Sequence, residues 1–356
     1  YSGKIEKSPV ANGFDYYYGI SASLDMAPYI YIENDRFTKL PDHETEDTGK
    51  RFYRKGPTAP DFVHEDVLPH LTEKVLETIE AFRNDPFFIY FPMPAPHTPI
   101  LPSPEFLGKS GTNEYGDFVL MVDEMVGRVI QKLKETGLDE NTVVIFTADN
   151  GCSPMANFEE LLAAGHNPSY VFRGHKADIY EGGHRIPLLV RWPARIAPGR
   201  ASDEPVCLAD LLATCAAILG ARLPDEAGED SVSNLPLWEG AALDRPLRDA
   251  LVHHSFDGSF SIRQGRWKLE LCPGSGGWSP PWPGRERAGL PPVQLYDLEA
   301  DIGERRNVQA GHPDVVAVLT ARLARLVRDG RSTPGRPQPN AGGTCWRQLD
   351  WLPPPP

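Results

Sequence analysis

Twice in the first half of the chain a helical apolar stripe runs directly into a continuous apolar segment, and that pairing constrains the fold more than any other feature. Leu68, Leu71, Val75, Ile79 and Phe82 recur at helical spacing and lead into PFFIYFPM (86–93). Phe118, Val122, Met125, Val129 and Leu133 form a second stripe, with Gly137 near its end and TVVIFTAD (142–149) beyond. Apolar residues three or four apart share one helix face, whereas an apolar run without alternation suits a strand covered on both faces. IPLLVRWP (186–193) is a third such run, and LADLLATCAAILG (208–220) reads as a helix stopped by Gly220. Helices alternating with continuously apolar strands predict an α/β domain with a mostly parallel central sheet flanked by helices.

The pattern changes after Gly240. ALVHHS, FSIRQGRWKLEL and VQLYDL look like short antiparallel strands, and a helix follows from about Asp314 to Arg328. The expected division is therefore a catalytic α/β domain over 1–240, a smaller C-terminal α+β subdomain with an antiparallel sheet over 241–331, and an irregular Pro-rich tail over 332–356. The first 60 residues, rich in Tyr, Gly, Asp and Pro without periodicity, read as long loops.

A length of 356 residues allows one large domain and a small one. The formal charge of −13 excludes a nucleic-acid-coating protein, because phosphate neutralisation needs a basic face. An anionic substrate would have to meet a local basic pocket. No apolar run reaches the roughly 20 residues of a membrane span. The five cysteines, Cys152, Cys207, Cys215, Cys272 and Cys345, are odd in number and form no complete disulfide framework.

Ligands of open α/β sheets bind beyond the carboxyl ends of the strands, and two such ends are polar here. PFFIYFPM runs into PAPHTP, which sets His97 among Pro94, Pro96 and Pro99. It reads as a surface loop or as a histidine held on a stiff backbone. TVVIFTAD ends in Asp149-Asn150-Gly151. Asn-Gly is a common hairpin turn, but loop and helix rather than a matching strand follow, and oxygens at a strand end suit a hard cation. The third cluster, GHNPSYVFRGHKADIYEGGHRIP, gathers His166, Arg173, His175, Lys176, His184 and Arg185 just before a buried strand. Concentrated positive charge in an acidic protein suits an anionic ligand, although much of it would serve equally as a solvated loop.

These segments together resemble the type I sulfatase family of the alkaline-phosphatase-like superfamily. The resemblance runs from GFDYYYGISASLDMAPY through PAPHTP, FTADNG and GHKADIYEGGHRIPLLVRWP to LYDLEADIGERRNV. It is strongest to the carbohydrate-directed branch of arylsulfatases and N-acetylgalactosamine-6-sulfatases. The resemblance implies that Asp149 and Asn150 are two ligands of an active-site divalent cation, calcium with magnesium as the alternative. It implies that His97 and Lys176 bind the sulfate and steer the leaving oxygen, and that Ser23 helps hold the sulfate group. Sugar contacts would come from His166, Asn167, Arg173 and His175, with His254 and Arg263 from the small subdomain.

The resemblance also implies parts that this sequence does not show at its start: a strand-end aspartate pair, and a Cys or Ser in C/S-x-P-x-R that becomes the formylglycine nucleophile. Cys152-Ser153-Pro154-Met155-Ala156 has the Cys and Pro but Ala at the Arg position, and is read as a decoy. The acidic pairs Glu65-Asp66 and Glu229-Asp230 follow no apolar strand and read as solvated charges. The opening YSGKIEKSPV, with no initiator Met or signal-like stretch, reads as a truncation or a processed end. The expectation is a sulfuric ester hydrolase acting on a sulfated carbohydrate or aryl sulfate, extracytoplasmic (periplasmic, lysosomal or secreted) by family analogy. The 356-residue chain alone would be inactive and poorly stable. A phosphoester or phosphonate hydrolase of the same superfamily and a non-catalytic homologue remain the alternatives.

Overall fold

The computed structural model describes residues 1–284, 288–341 and 346–352; Cys345 and the final prolines lie outside the described residues. The chain divides into two compact units.

The first unit comprises Tyr1–Thr142 and Ser153–Pro168. Its opening segment, expected as loops, instead contains short strands. An antiparallel meander runs through β1 (Tyr18–Ile20), β2 (Tyr31–Glu33) and β3 (Arg36–Phe37), and β4 (His43–Asp47) pairs with β5 (Tyr53–Thr58). Strands this short, broken by Gly, Pro and Asp, leave no measurable alternation in sequence. Their core is aromatic: Tyr29, Tyr31 and Phe62 pack with Leu24 and Ile30 against Val67 and Leu71 of α1 (Val67–Ala81). His64 is buried in the same cluster, its ring stacked 3.7 Å from that of Tyr53.

Helix α1 buries Leu68, Leu71, Val75 and Ile79 as its spacing predicted, while Phe82 falls at the C-cap and is largely exposed. Helix α2 (Glu114–Glu135) begins where the Asn113 side chain accepts from the backbone N–H of Tyr115 and Gly116. It buries Phe118, Val122, Met125 and Leu133, and Val129 is half-buried. Gly137 closes it in the left-handed conformation, with φ +73°. A short α3 (Phe158–Ala163) completes this unit.

Segment 86–93, expected as a strand, is extended but pairs with no strand among the described residues. Its side chains still alternate: Phe91 turns onto the aromatic core, and Phe88 and Tyr90 are each 69% exposed. The pleat is present and the ladder is not.

The second unit comprises Val143–Cys152 and Ser169–Pro356. Within it β6 (Val144–Thr147) pairs antiparallel with β7 (Leu188–Arg191), in register Ile145 to Val190. Between them lies the one-turn α4 (Glu181–His184); α5 (Asp210–Ile218) and α6 (Leu235–Trp238) follow. The expected antiparallel sheet is formed by β8 (Leu251–His254), β9 (Phe260–Gln264), β10 (Trp267–Glu270) and β11 (Gln294–Asp297), in the order β11-β10-β9-β8. One face packs Phe260, Ile262, Leu269 and Leu295 against Leu319 and Leu323 of α7 (Pro313–Asp329). The strand alternation turns Lys268, Glu270, Gln294 and Tyr296 to the other face, where they are also buried. That polar face packs on Ile179 and Tyr180 of the segment leading into α4. A sheet buried on both sides, one of them charged, is what positions the site.

Candidate active site

Asp149, Asn150 and Gly151 sit just past the carboxyl end of β6. Their turn is not a free hairpin. The Gly151 N–H donates to the Gly183 carbonyl at 2.9 Å, and the Lys176 N–H donates to the Cys152 carbonyl at 2.9 Å. Three glycines permit this crossing: a Cβ on Gly151 would lie 1.8 Å from the Gly182 carbonyl oxygen, one on Gly182 2.5 Å from that of Arg173, and one on Gly183 2.1 Å from that of Asp178. The pair Gly182-Gly183 therefore serves close backbone approach. The result is a cleft of about 330 Å³ lined by Asp149, Asn150, Lys176, His184 and His254 among others.

Beneath the cleft lies a charge network that the sequence pattern did not reveal. The fully buried Lys268 ammonium stands 2.7 Å from Glu304, 3.1 Å from Glu181 and 3.4 Å from Glu270, and donates to the Ile179 carbonyl at 2.9 Å. Glu304 also accepts from the Glu181 N–H at 2.6 Å, so the β10 lysine and the residue that opens α4 are tied through one carboxylate. Burial alone would raise the Glu181 carboxyl, but Lys268 and the neighbouring His184 hold it well below the carboxylate range. Burial pushes Glu270 well above that range despite Lys268. The rings of His184 and His253 stack 3.9 Å apart, and both are driven toward the neutral form, first by burial and then by the surrounding cations.

In the first unit Ser23 and His97 converge on Asp25, a residue the motif reading passed over. Asp25 is 6% exposed and accepts from the Ser23 hydroxyl at 2.5 Å; the Arg54 guanidinium pairs with it, and His97 Nδ1 lies 4.0 Å away. Burial would raise this carboxyl; Ser23, Arg54 and His97 outweigh burial and hold it lowered. Asp25 thus orients Ser23 and adds a negative charge near His97, whose Nδ1 is itself held 2.8 Å from the Thr98 carbonyl. Its only sequence signal is the spacing of two from Ser23.

The remaining expected sugar contacts are placed differently. His166 and Asn167 are exposed after α3. Arg173 stacks 3.8 Å over the Tyr180 ring and donates to Tyr296 Oη and the Glu304 carbonyl, so its guanidinium serves the second unit's interior. His175 is turned to its own backbone, with Nδ1 3.0 Å from the Lys176 carbonyl and 3.6 Å from Asp178. Arg263 points to Glu181 at 3.7 Å.

The spacing C/S-x-P-x-R does occur once, at Ser332, Pro334 and Arg336. It forms a strap on the surface of the second unit: the Ser332 and Thr333 N–H groups donate to the Glu229 carbonyl and the Arg336 N–H to Asp225. None of these residues lines the cleft.

Asp149 and Asn150 offer oxygen donors of the hard type that Ca2+ and Mg2+ take. Two residues present three side-chain oxygens, where Ca2+ takes about six to eight. Among the described residues no group of three or more His, Cys, Asp or Glu is placed to hold a metal. The donor chemistry fits and amounts to part of a coordination shell.

Every strand ladder among the described residues is antiparallel, so the expected mostly parallel central sheet is not formed by these ladders, and it is comparison with known proteins that places the chain in the alkaline-phosphatase-like class. The sulfatase family model matches residues 2–221. N-acetylgalactosamine-6-O-sulfatase of Bacteroides thetaiotaomicron is 31% identical over 91% of this chain and 70% of its own length. The human N-acetylgalactosamine-6-sulfatase is 26% identical over 97% and 67%. A solved Bacteroides thetaiotaomicron structure, described under the metabolism of multiple glycosaminoglycans, superposes with a TM-score of 0.77 at 28% identity, covering 90% of this chain and 74% of that one. The chain belongs to the sulfatase family, whose members hydrolyse sulfate esters. Among the described residues no helix is long and apolar enough to cross a membrane.

Proposed function

We propose that this protein removes sulfate from a sulfated carbohydrate of the galactose or N-acetylgalactosamine type, with the cleft after β6 as part of the site. The observation that carries the reading is the convergence of Asp149, Asn150 and Lys176 in that cleft, held by backbone crossings that only glycine allows. The sugar class rests on the names of the relatives. Asp149 and Asn150 would hold a calcium ion, with magnesium the alternative; a bound cation stabilises the charge that builds on the sulfate oxygens. Lys176 supplies a fixed positive charge for the anion. His97 or Lys176 delivers the proton that the departing sugar oxygen needs, and Ser23, whose hydroxyl donates to Asp25 here, would turn that donor to the sulfate. The nucleophile in this reading is a formylglycine carried on polypeptide beyond these 356 residues, so the chain alone does not turn over. Family analogy further places the protein outside the cytoplasm.

Sulfate release from N-acetylgalactosamine 6-sulfate tests the reading, measured with the chain alone, with the chain extended upstream of Tyr1, and with the extended Lys176→Ala variant. Metal-dependent turnover by the extended protein that falls at least about 100-fold in the variant is expected. Preference for a phosphate monoester over the sulfate ester would move the assignment to the phosphoester alternative. Turnover by the 356-residue chain itself would overturn the placement of the nucleophile.

A further inference from the structure

Two large aromatic side chains line the same cleft and pack against each other. Phe256 is 71% exposed and Trp278 36%, their ring centroids are 5.3 Å apart at 54°, and both line the cleft that holds Asp149, Asn150 and Lys176. Water-facing rings of this size cost free energy unless something covers them.

They are not on loose loops. The Phe256 N–H donates to the Ala177 carbonyl at 2.8 Å, next to Lys176. The Trp278 N–H donates to Asp178 Oδ1 at 2.8 Å, and the Ser279 N–H and hydroxyl donate to the same carboxylate. Asp178, 2% exposed, also accepts from the His175 N–H at 2.9 Å. One buried carboxylate therefore fixes the Lys176 loop and the Trp278 loop to each other. The two aromatic loops are joined directly as well, by the Asp257 N–H to the Gly276 carbonyl at 3.0 Å. A Cβ on Gly277 would sit 2.4 Å from the Ala177 carbonyl oxygen, which shows how closely the backbones meet. Hydrogen bonds fix the backbone that carries both rings, and their exposed portions face solvent.

We propose that Phe256 and Trp278 form the platform for the pyranose ring of the substrate, stacking on its C–H face while the sulfate reaches Lys176. The inference rests on the sulfatase reading and adds the residues that select a sugar over other sulfate esters. A site of this composition, aromatic walls with a few fixed polar groups at one end, is how small polar-apolar ligands are oriented. Sugar hydroxyls point outward around the ring and leave apolar faces, which match aromatic faces held rigid beforehand.

Calorimetric titration of the full chain with N-acetylgalactosamine 6-sulfate and with inorganic sulfate separates the two contributions without requiring turnover. Phe256→Ala and Trp278→Ala are each expected to weaken the sulfated sugar roughly tenfold while leaving inorganic sulfate unchanged. Trp278→Phe, which keeps a ring, is expected to recover most of the loss. Equal sugar affinity in wild type and both alanine variants overturns the platform and leaves the sulfatase reading intact. Parallel losses for sugar and sulfate also overturn it, since they mark a collapsed cleft. A wild-type chain that binds neither ligand overturns the functional reading, and the platform with it.

Discussion

Replacing Lys268 with Met removes the ammonium around which Glu181, Glu270 and Glu304 are buried. Methionine fills similar volume but offers no donor to the Ile179 carbonyl and no charge to the carboxylates. Breaking a buried ion pair from one side costs roughly 3–5 kcal/mol, because the surviving charge is left desolvated. At about 2–4 °C per kcal/mol for a unit of 150–250 residues, the melting temperature should fall by about 10 °C. The pH dependence gives the sharper test. In the wild type, Lys268 holds Glu181 low, so that stabilisation is present above the unfolded carboxyl value of about 4.3 and is lost as pH falls through the depressed folded value. Without Lys268 the largest influence lowering the Glu181 carboxyl is gone, so less stability is gained as pH rises through that range. Urea unfolding at pH 5 and pH 8 should therefore show a larger deficit at pH 8. Glu270→Gln is the matched control: burial raises the Glu270 carboxyl well above its usual range, so the neutral amide should be close to wild type or slightly more stable at pH 7. A Lys268→Met loss below about 1 kcal/mol, or one independent of pH, would refute the argument that this cluster is held by charge.

Gly182→Ala places a methyl 2.3 Å from the Gly174 carbonyl oxygen, so about 3 kcal/mol or more of stability should be lost in urea unfolding. His64 is held neutral by burial, down to about 4, so its contribution is present above pH 6.5 and is lost as pH falls to 4; that amounts to roughly 3 kcal/mol, and His64→Phe should flatten this part of the acid limb. Calcium at 100 times its dissociation constant should stabilise the protein by about 2.7 kcal/mol, and Asp149→Ala with Asn150→Ala should abolish the shift in a thermal melt. Asp25→Asn should lower kcat of the upstream-extended protein more than it raises KM, because it loosens Ser23 and removes the negative charge beside His97.

Much of this was legible beforehand because its cause is local. The stripes Leu68 to Ile79 and Phe118 to Leu133 are buried as their spacing requires, and the antiparallel strands between Leu251 and Asp297 appear where alternation placed them. Asp149, Asn150 and Lys176 do share a cleft. Other readings failed where partners lie far away in sequence. The aromatic strands before residue 60 were too short to show a period, and 86–93 carries a strand's composition without a ladder. Arg173 looked like an anion ligand by composition and proved to stack on Tyr180.

Composition and spacing by themselves marked the long helices, the short strands after residue 250 and the residue types at the strand end, and the motifs taken together carried the resemblance to the family. Periodicity, chain stiffness and donor chemistry are properties of a few neighbouring residues, so a sequence carries them openly. Tertiary structure alone decided that Asp25 gathers Ser23 and His97, that Asp178 fastens Trp278 beside Lys176 from 100 residues away, and that Lys268 is buried among carboxylates. Those roles depend on which side chains lose their water together, and desolvation is settled only when distant segments close over one another.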